Sequence, residues 1–291
     1  MRRPAPVFLL LVLLGAAVAG LVAFVLTREQ GAGELGLAVA GEARQGGLSM
    51  ALSPAVADVR ITEARTPGRP LVVIDPGHGG RDGGAPGASG TTREKDMTLL
   101  IARELHDELA RRGRVRIALT RNADVTLTLD DRAAIARRLG ASLFLSIHAD
   151  SAPNPGARGA TAYSLSEVAS DADAAMLAAR QNGEGAVASV PDPSLRGLLS
   201  DLAARDEMAA SADFALRLLR EARGGSVLLR PEAHRFAAFR VLRRSGAPAV
   251  LFEAGYMSNA ADEAMLLDPV QRGRIVKALA RAIEAQAAVQ R

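Results

Sequence analysis

An α/β domain built on a largely parallel sheet flanked by helices is what the sequence predicts, and three observations predict it. Short apolar runs recur at Leu71–Ile74, Leu143–Ile147 and Ala249–Phe252, the continuous pattern of strands buried on both faces. Between them lie segments with helical spacing, such as Met97, Leu100, Ile101, Leu105 and Leu109 on one face. Glycine closes two of these segments, at Gly113 and Gly140, where a left-handed residue ends a helix. Alternating strands and helices give a single mostly parallel mixed sheet, with room for some antiparallel pairing.

Taken in order, Asp75-Pro76-Gly77 stops the first buried run abruptly, because proline fixes φ and glycine adopts angles other residues avoid. A helix follows over about Glu94–Arg112, then a strand at Arg114–Leu119 and a helix at Leu129–Leu139. After Leu143–Ile147 comes a strand candidate at Gly159–Leu165. Residues 166–223, rich in alanine, leucine and charge and broken by Gly183–Val190, Pro191 and Pro193, read as an insertion of two or three helices. Phe236–Leu242 and Ala249–Phe252 read as the last strands. Ala260–Leu267 and Val270–Ala288 read as the closing helices.

Ahead of the domain, Arg2 and Arg3 precede an apolar run from Ala5 to Leu26. As a helix it would span about 33 Å at ~1.5 Å per residue, enough to cross a bilayer. Two readings stand, both exporting the protein: a retained signal anchor over 1–28, or a signal peptide cut after Ala17-Val18-Ala19. Residues 29–69 read as a Gly- and Ala-rich linker with short strands at Leu48–Leu52 and Val59–Ile61. The folded domain then spans 70–291.

Composition narrows the chemistry. Zero cysteines exclude disulfides and thiolate metal sites, so a metal site must use His, Asp or Glu. A formal charge of only +4, with 3% aromatics, gives no basic run interleaved with rings and argues against nucleic-acid binding. The glycine-rich stretch Gly79–Gly87 lacks the Gly-Lys-Ser/Thr ending of a phosphate loop.

His78, His148 and Glu253 each leave the carboxyl end of a buried strand, the edge at which α/β sheets place ligands. One such residue is more often a structural hydrogen-bonding group; three together predict a cleft. His78 is then a metal ligand or a catalytic base. Glu94 is a fourth candidate, although Thr91-Thr92-Arg93-Glu94 matches a capping box in which Glu94 serves its own helix. Two imidazoles and a carboxylate would otherwise make a catalytic zinc set.

Four blocks carry a wider resemblance: Val73-Ile74-Asp75-Pro76-Gly77-His78-Gly79-Gly80, Arg93-Glu94-Lys95, Ser146-Ile147-His148-Ala149-Asp150, and Leu251-Phe252-Glu253-Ala254-Gly255-Tyr256-Met257-Ser258-Asn259. In order and spacing, over about Leu71 to Ala288, they resemble the zinc-dependent N-acetylmuramoyl-L-alanine amidases (amidase type 3) of the bacterial periplasm, the cell-separation type. The resemblance implies Zn2+ held by His78, Glu94 and His148, with Glu253 as the catalytic carboxylate. It also implies peptidoglycan as substrate, cut between N-acetylmuramic acid and L-alanine of the stem peptide. For Glu94 it overturns the capping preference.

The run through His234 also resembles the family, and His234 and Asn259 are candidate substrate contacts. Asp75 reads as ordering the turn or supporting a ligand imidazole, and Asp150 as lining the cleft or capping a loop. His106 falls off the apolar face of its helix and reads as a solvated surface residue. Members of this branch can carry a helical insertion that covers the zinc and is displaced by an activator protein. Ser164–Asp171 and Leu177–Asn182 match that pattern, but Gln181 stands where a glutamate is expected, a poorer ligand. A zinc carboxypeptidase acting on the stem peptide and a non-catalytic wall-binding scaffold are the rival functions.

Overall fold

The computed structural model describes residues 59–289 apart from Pro153, Pro155 and residues 184–194. The apolar N-terminal run and the strand expected at Leu48–Leu52 lie outside them. Among the described residues no helix is long and apolar enough to cross a membrane.

Seven strands form one sheet: β1 (Ile61–Thr62), β2 (Leu71–Pro76), β3 (Arg116–Leu119), β4 (Leu143–His148), β5 (Ala160–Leu165), β6 (Leu229–Ala237) and β7 (Ala249–Glu253). Their spatial order is β1-β3-β2-β4-β7-β5-β6. The central pairs β3–β2, β2–β4 and β4–β7 are parallel, as is β5–β6, while β1–β3 and β5–β7 are antiparallel. The helices are α1 (Glu94–Arg112), α2 (Leu129–Arg138), α3 (Ala172–Asn182), α4 (Leu195–Gly224), α5 (Arg240–Arg243), α6 (Ala260–Leu267) and α7 (Pro269–Val289).

Alternation along the strands sends side chains to two helical layers. From β2, Val72 and Ile74 join Ile101 and Leu105 of α1, Phe214 and Leu218 of α4, and Leu279 and Ile283 of α7. Leu71 and Val73 face the other way, onto Ile135 of α2, Leu177 of α3 and Val241 of α5. Every residue of β2, β4 and β7 is buried, which is why those strands read as unbroken apolar runs.

Gly113 ends α1 in the left-handed conformation, at φ 67, with its N–H on the Leu109 carbonyl. The strand expected near Val59–Ile61 is Ile61–Thr62, paired to β3, so the sheet begins ahead of Leu71. Three other expectations change. The strand read at Phe236–Leu242 runs instead from Leu229 to Ala237, and Arg240–Arg243 is helical. Pro231 and the exposed Glu232 masked its start; β6 is an edge strand, where proline and charge are tolerated. Residues 166–223 are not wholly an insertion, because Phe214, Ala215 and Leu218 of α4 are core. His106 is half-buried rather than solvated, its Nε2 2.8 Å from Thr62 Oγ1, so it pins β1 to α1.

One buried ion pair ties the sheet to the loop after β2. Asp75, 1% exposed, accepts from Arg132 Nη1 at 2.7 Å, Thr120 Oγ1 at 2.6 Å and Ser146 Oγ at 2.8 Å. Burial opposes its ionisation, but Arg132 and the two hydroxyls outweigh that and hold the carboxyl below its usual 3.8. Asp75→Asn strands Arg132 as an unpaired buried cation, so it should cost about 3–5 kcal/mol in urea unfolding at neutral pH. The depressed pKa sets the sign of the pH effect. The carboxylate's contribution is complete above pH 3.8 and is lost as pH falls through the lower folded value. Unfolding curves of the variant should lack that limb.

Candidate metal centre and active site

The carboxyl ends of β2, β4 and β7 lie side by side. Pro76 is in register with Ile147, and His148 with Glu253. Sequence adjacency to a strand end therefore becomes spatial adjacency for His78, His148 and Glu253. Glu94 arrives from another direction, as the first residue of α1.

The loop after β2 is held by its backbone carbonyls. Arg132 donates to Pro76 O and His78 O, both at 2.6 Å, and Arg121 donates to Gly77 O at 2.8 Å. Both arginines are buried. His78 itself has φ 59, a left-handed conformation that a non-glycine residue keeps only where its surroundings impose it. Gly77 is fixed by close approach, since a Cβ there would sit 2.2 Å from the His148 ring.

His78, Glu94 and His148 offer one ligand atom each, all within 4.8 Å of one another. The two rings are 4.9 Å apart, edge to face. Glu94 is 2% exposed. Its Oε1 accepts from the Ala149 N–H at 3.0 Å and lies 3.0 Å from His148 Nδ1. Oε2 accepts from the Ala85 N–H at 2.8 Å and lies 3.1 Å from His78 Nε2. The capping reading fails: Arg93 is the N-cap, without a side-chain cap bond. Asp82, which the sequence reading passed over, lies 2.8 Å from His78 Nδ1. Its position four residues after His78 on a glycine-rich turn was the available signal. Asp75 touches neither imidazole among its hydrogen bonds; it acts on the loop through Arg132 and on β4 through Ser146.

The electrostatics separate the acids. Burial penalises Glu94, yet the two imidazoles outweigh it and hold the carboxyl well below the usual range. His78 is disfavoured by burial but raised to about 9 by Asp82 and Glu94. His148 moves down, chiefly through burial. The cluster is thus a pocket for positive charge, whether a proton or a divalent cation. Two imidazoles and an ionised carboxylate suit zinc chemically, and the buried His78 Nε2 has no hydrogen bond of acceptable geometry to compete for it.

Glu253 behaves oppositely. It is fully buried, neither carboxylate oxygen has a hydrogen-bond partner, and its pKa is pushed well up by burial, then by Asp150 and Glu94. Asp150, raised to about 6 by burial despite Arg180 nearby, pairs with Arg180 at 3.0 Å. Paired carboxyls whose environments drive them apart divide the work of an acid–base site.

Over this cluster lies the end of α3. Gln181 Nε2 is 3.3 Å from His148 Nδ1, and Asn182 donates to Ala238 O at 2.8 Å. A cavity of about 270 Å³ is lined by His78, Asp82, His148, Arg180 and Gln181. The remaining candidates stand apart from the cluster. His234 is half-buried on β6, its Nε2 2.9 Å from Ser164 Oγ. Asn259 caps α6, its Oδ1 accepting from the Ala261 and Asp262 N–H groups at 3.1 Å.

Comparison with known proteins agrees with this geometry. Residues 72–285 match the Amidase_3 family model, N-acetylmuramoyl-L-alanine amidase. The chain is 36% identical over 221 residues to N-acetylmuramoyl-L-alanine amidase AmiA of Escherichia coli K12, covering 74% of this chain and 75% of that one. Among solved structures it resembles N-acetylmuramoyl-L-alanine amidase AmiC2 of Nostoc punctiforme, with TM-score 0.54 and 30% identity over 77% of this chain and 99% of that one. The catalytic domain of CwlV, an N-acetylmuramoyl-L-alanine amidase from Bacillus (Paenibacillus) polymyxa var. colistinus, gives TM-score 0.54 at 27% identity, covering 74% and 96%. With the family model spanning most of the sheet, the three clustered residues and Glu253, the chain belongs to the N-acetylmuramoyl-L-alanine amidases.

Proposed function

We propose that His78, Glu94 and His148 hold a zinc ion and that Glu253 moves the proton during hydrolysis of peptidoglycan. The bond cut is the amide between N-acetylmuramic acid and L-alanine of the stem peptide. The observation that carries the assignment is the orphaned, fully buried Glu253 carboxylate set in register beside His148. Zinc bound there supplies Lewis-acid polarisation of the scissile carbonyl and brings a water's pKa toward neutrality. Glu253 takes the proton of the attacking water and delivers it to the departing L-alanine nitrogen. Burial and the charges of Asp150 and Glu94 push its pKa well up, and a cation held by the neighbouring ligands would favour the ionised form that accepts a proton. Asp82 orients the His78 ring through Nδ1, and Glu94 stays ionised because the two imidazoles outweigh its burial, while two backbone N–H groups hold it in position.

His234 is proposed as a substrate contact, and Asn259 as shaping the loop after Glu253 through its capping bonds. The protein is proposed to act outside the cytoplasm, exported by its N-terminal segment. We also propose that α3 covers the site until an activator protein docks on the helical segment and draws it away. Arg180 and Gln181 on Asp150 and His148 support that reading. One structural relative is a CwlD amidase from Clostridioides difficile solved in complex with the GerS lipoprotein.

The direct test is sacculus digestion with and without a chelator, reading the L-alanine amines released from intact glycan. Chelator-sensitive release is expected; newly exposed groups elsewhere in the stem would point to a carboxypeptidase. Glu253→Gln should retain stoichiometric zinc while losing at least ~10²-fold in turnover, and full activity would remove its assigned role. Glu94→Gln takes away one of the two carboxylates that raise His78, leaving Asp82. NMR titration of the metal-free protein should then show the His78 pKa falling from about 9 toward 6.5, with weaker zinc binding alongside. Deleting residues 172–193 should raise basal hydrolysis, whereas an unchanged rate would leave α3 without a covering role.

A further inference from the structure

On the far side of Arg180 lies a second cavity, of about 390 Å³, with Asp150, Tyr163, Arg180, Arg230 and Tyr256 among its lining. Its walls include the apolar Ala152, Met176 and Ala179. Asp150, two residues past His148, lines its inner end. At the other end stands Arg230, the second residue of the edge strand β6.

Arg230 is fixed from below. Tyr256, 0% exposed, accepts a hydrogen bond on its phenol oxygen from Arg230 Nη1, and the guanidinium carbon lies 5.6 Å from the ring centroid. The other nitrogen, Nη2, donates to Asp173 Oδ2 at 2.7 Å. Asp173 belongs to α3, the covering helix, and its side chain is 56% exposed against 17% for Arg230. Arg235 Nη1 is 4.0 Å from the same carboxylate and 2.9 Å from Asp171. So the sheet keeps the cation in place, while the anion that faces it rides on a surface helix.

The spacing suits a peptide running away from the scissile bond. Glu253 is in register with Thr161 on β5, and its neighbour Ala160 with Leu229 on β6. Two strand spacings of ~4.8 Å put the Arg230 backbone on the order of 10 Å from that of Glu253. An extended chain advances ~3.3–3.6 Å per residue. A carboxylate on the residue after L-alanine therefore comes within reach of the Arg230 side chain. A glutamate joined to the next residue through its side-chain carboxyl leaves its main-chain carboxylate free at that position.

We propose that Arg230, seated on Tyr256, binds a free carboxylate on the stem-peptide residue after L-alanine, and that Asp173 of α3 occupies the same guanidinium edge when the helix covers the site. The proposal rests on the amidase reading and names what that site recognises beyond the scissile amide. With α3 displaced, Ala152, Tyr163 and Tyr256 remain to flank the L-alanine methyl and the linking chain. The carboxylate replaces Asp173 on Nη2 without disturbing the Tyr256 contact. Substrate and covering helix then compete for one cation, so carboxylate binding and helix displacement favour each other.

The test uses the full chain, loaded with zinc and kept in detergent, and two probes: the dipeptide of L-alanine and D-glutamate with its side-chain carboxyl capped as the methylamide, and the same compound with its main-chain carboxyl amidated as well. Calorimetry on the wild type should show the acid binding ~10-fold or more tightly than the amide, the usual scale of a charge-assisted contact. Arg230→Met should bring that ratio close to one. Asp173→Asn, a change at an exposed position that leaves Arg230 in place, should widen it by tightening the acid alone. Acid and amide binding equally to both the wild type and Asp173→Asn would overturn the subsite. Sacculus hydrolysis by the same preparation separates the two levels. Normal L-alanine release with no acid preference removes the subsite and leaves the amidase reading standing. Absence of chelator-sensitive release removes that reading and the subsite with it.

Discussion

The ion pair between Asp75 and Arg132 is the constraint on which the site depends. Two charges out of water are tolerable only when every polar atom is matched, and here the matching atoms come from separate elements. Thr120 follows β3, Ser146 lies on β4, and Arg132 comes from α2. The same guanidinium then reaches past Asp75 to the carbonyls of Pro76 and His78. A core interaction thereby dictates the course of a loop that has few side chains of its own to pack. The left-handed φ of His78 is the visible strain of that arrangement, and the imidazole is aimed by it.

Around this frame the site sets its carboxyl groups to different tasks by environment alone. Glu94 and Glu253 are equally inaccessible to water. Glu94 has two imidazoles and two backbone N–H groups, so its charge is stabilised. Glu253 has none of these and faces the charges of Asp150 and Glu94, so its proton is retained more strongly. On the proposed roles, Glu94 as a ligand must hold its charge permanently, whereas Glu253 as a proton carrier must be able to change state. The Arg180 bond to Asp150 adds a link between this balance and α3, because moving the helix alters the charge nearest Glu253.

Much of this was legible in the chain because burial leaves a mark on composition. Strands covered on both faces must be apolar throughout, so β2, β4 and β7 could be read as runs, and the ionisable residue closing each run stood out. Helix α1 was legible to its last residue from its periodicity and from Gly113. Where burial is partial the mark fades: β6, at the sheet edge with Pro231 and Glu232, was misplaced toward the apolar Phe236–Leu242 run. Asp82 and Arg132 escaped notice because a charged residue in a loop or on a helix has no local pattern that reveals a buried partner far along the chain.

The sequence by itself determined most of the element types, the three strand-end residues and, through four spaced blocks, the amidase family. Those properties are local, fixed by side-chain periodicity, turn chemistry and motif order. Only the tertiary structure decided what Glu94 and Arg230 face. Glu94 could cap its own helix or reach across to two histidines, and the choice turned on where α1 lies against the β2 loop. Arg230 meets Tyr256 from β7's trailing loop and Asp173 from α3, partners 26 and 57 residues away. Long-range packing brings such groups together, and no spacing within a single segment encodes it.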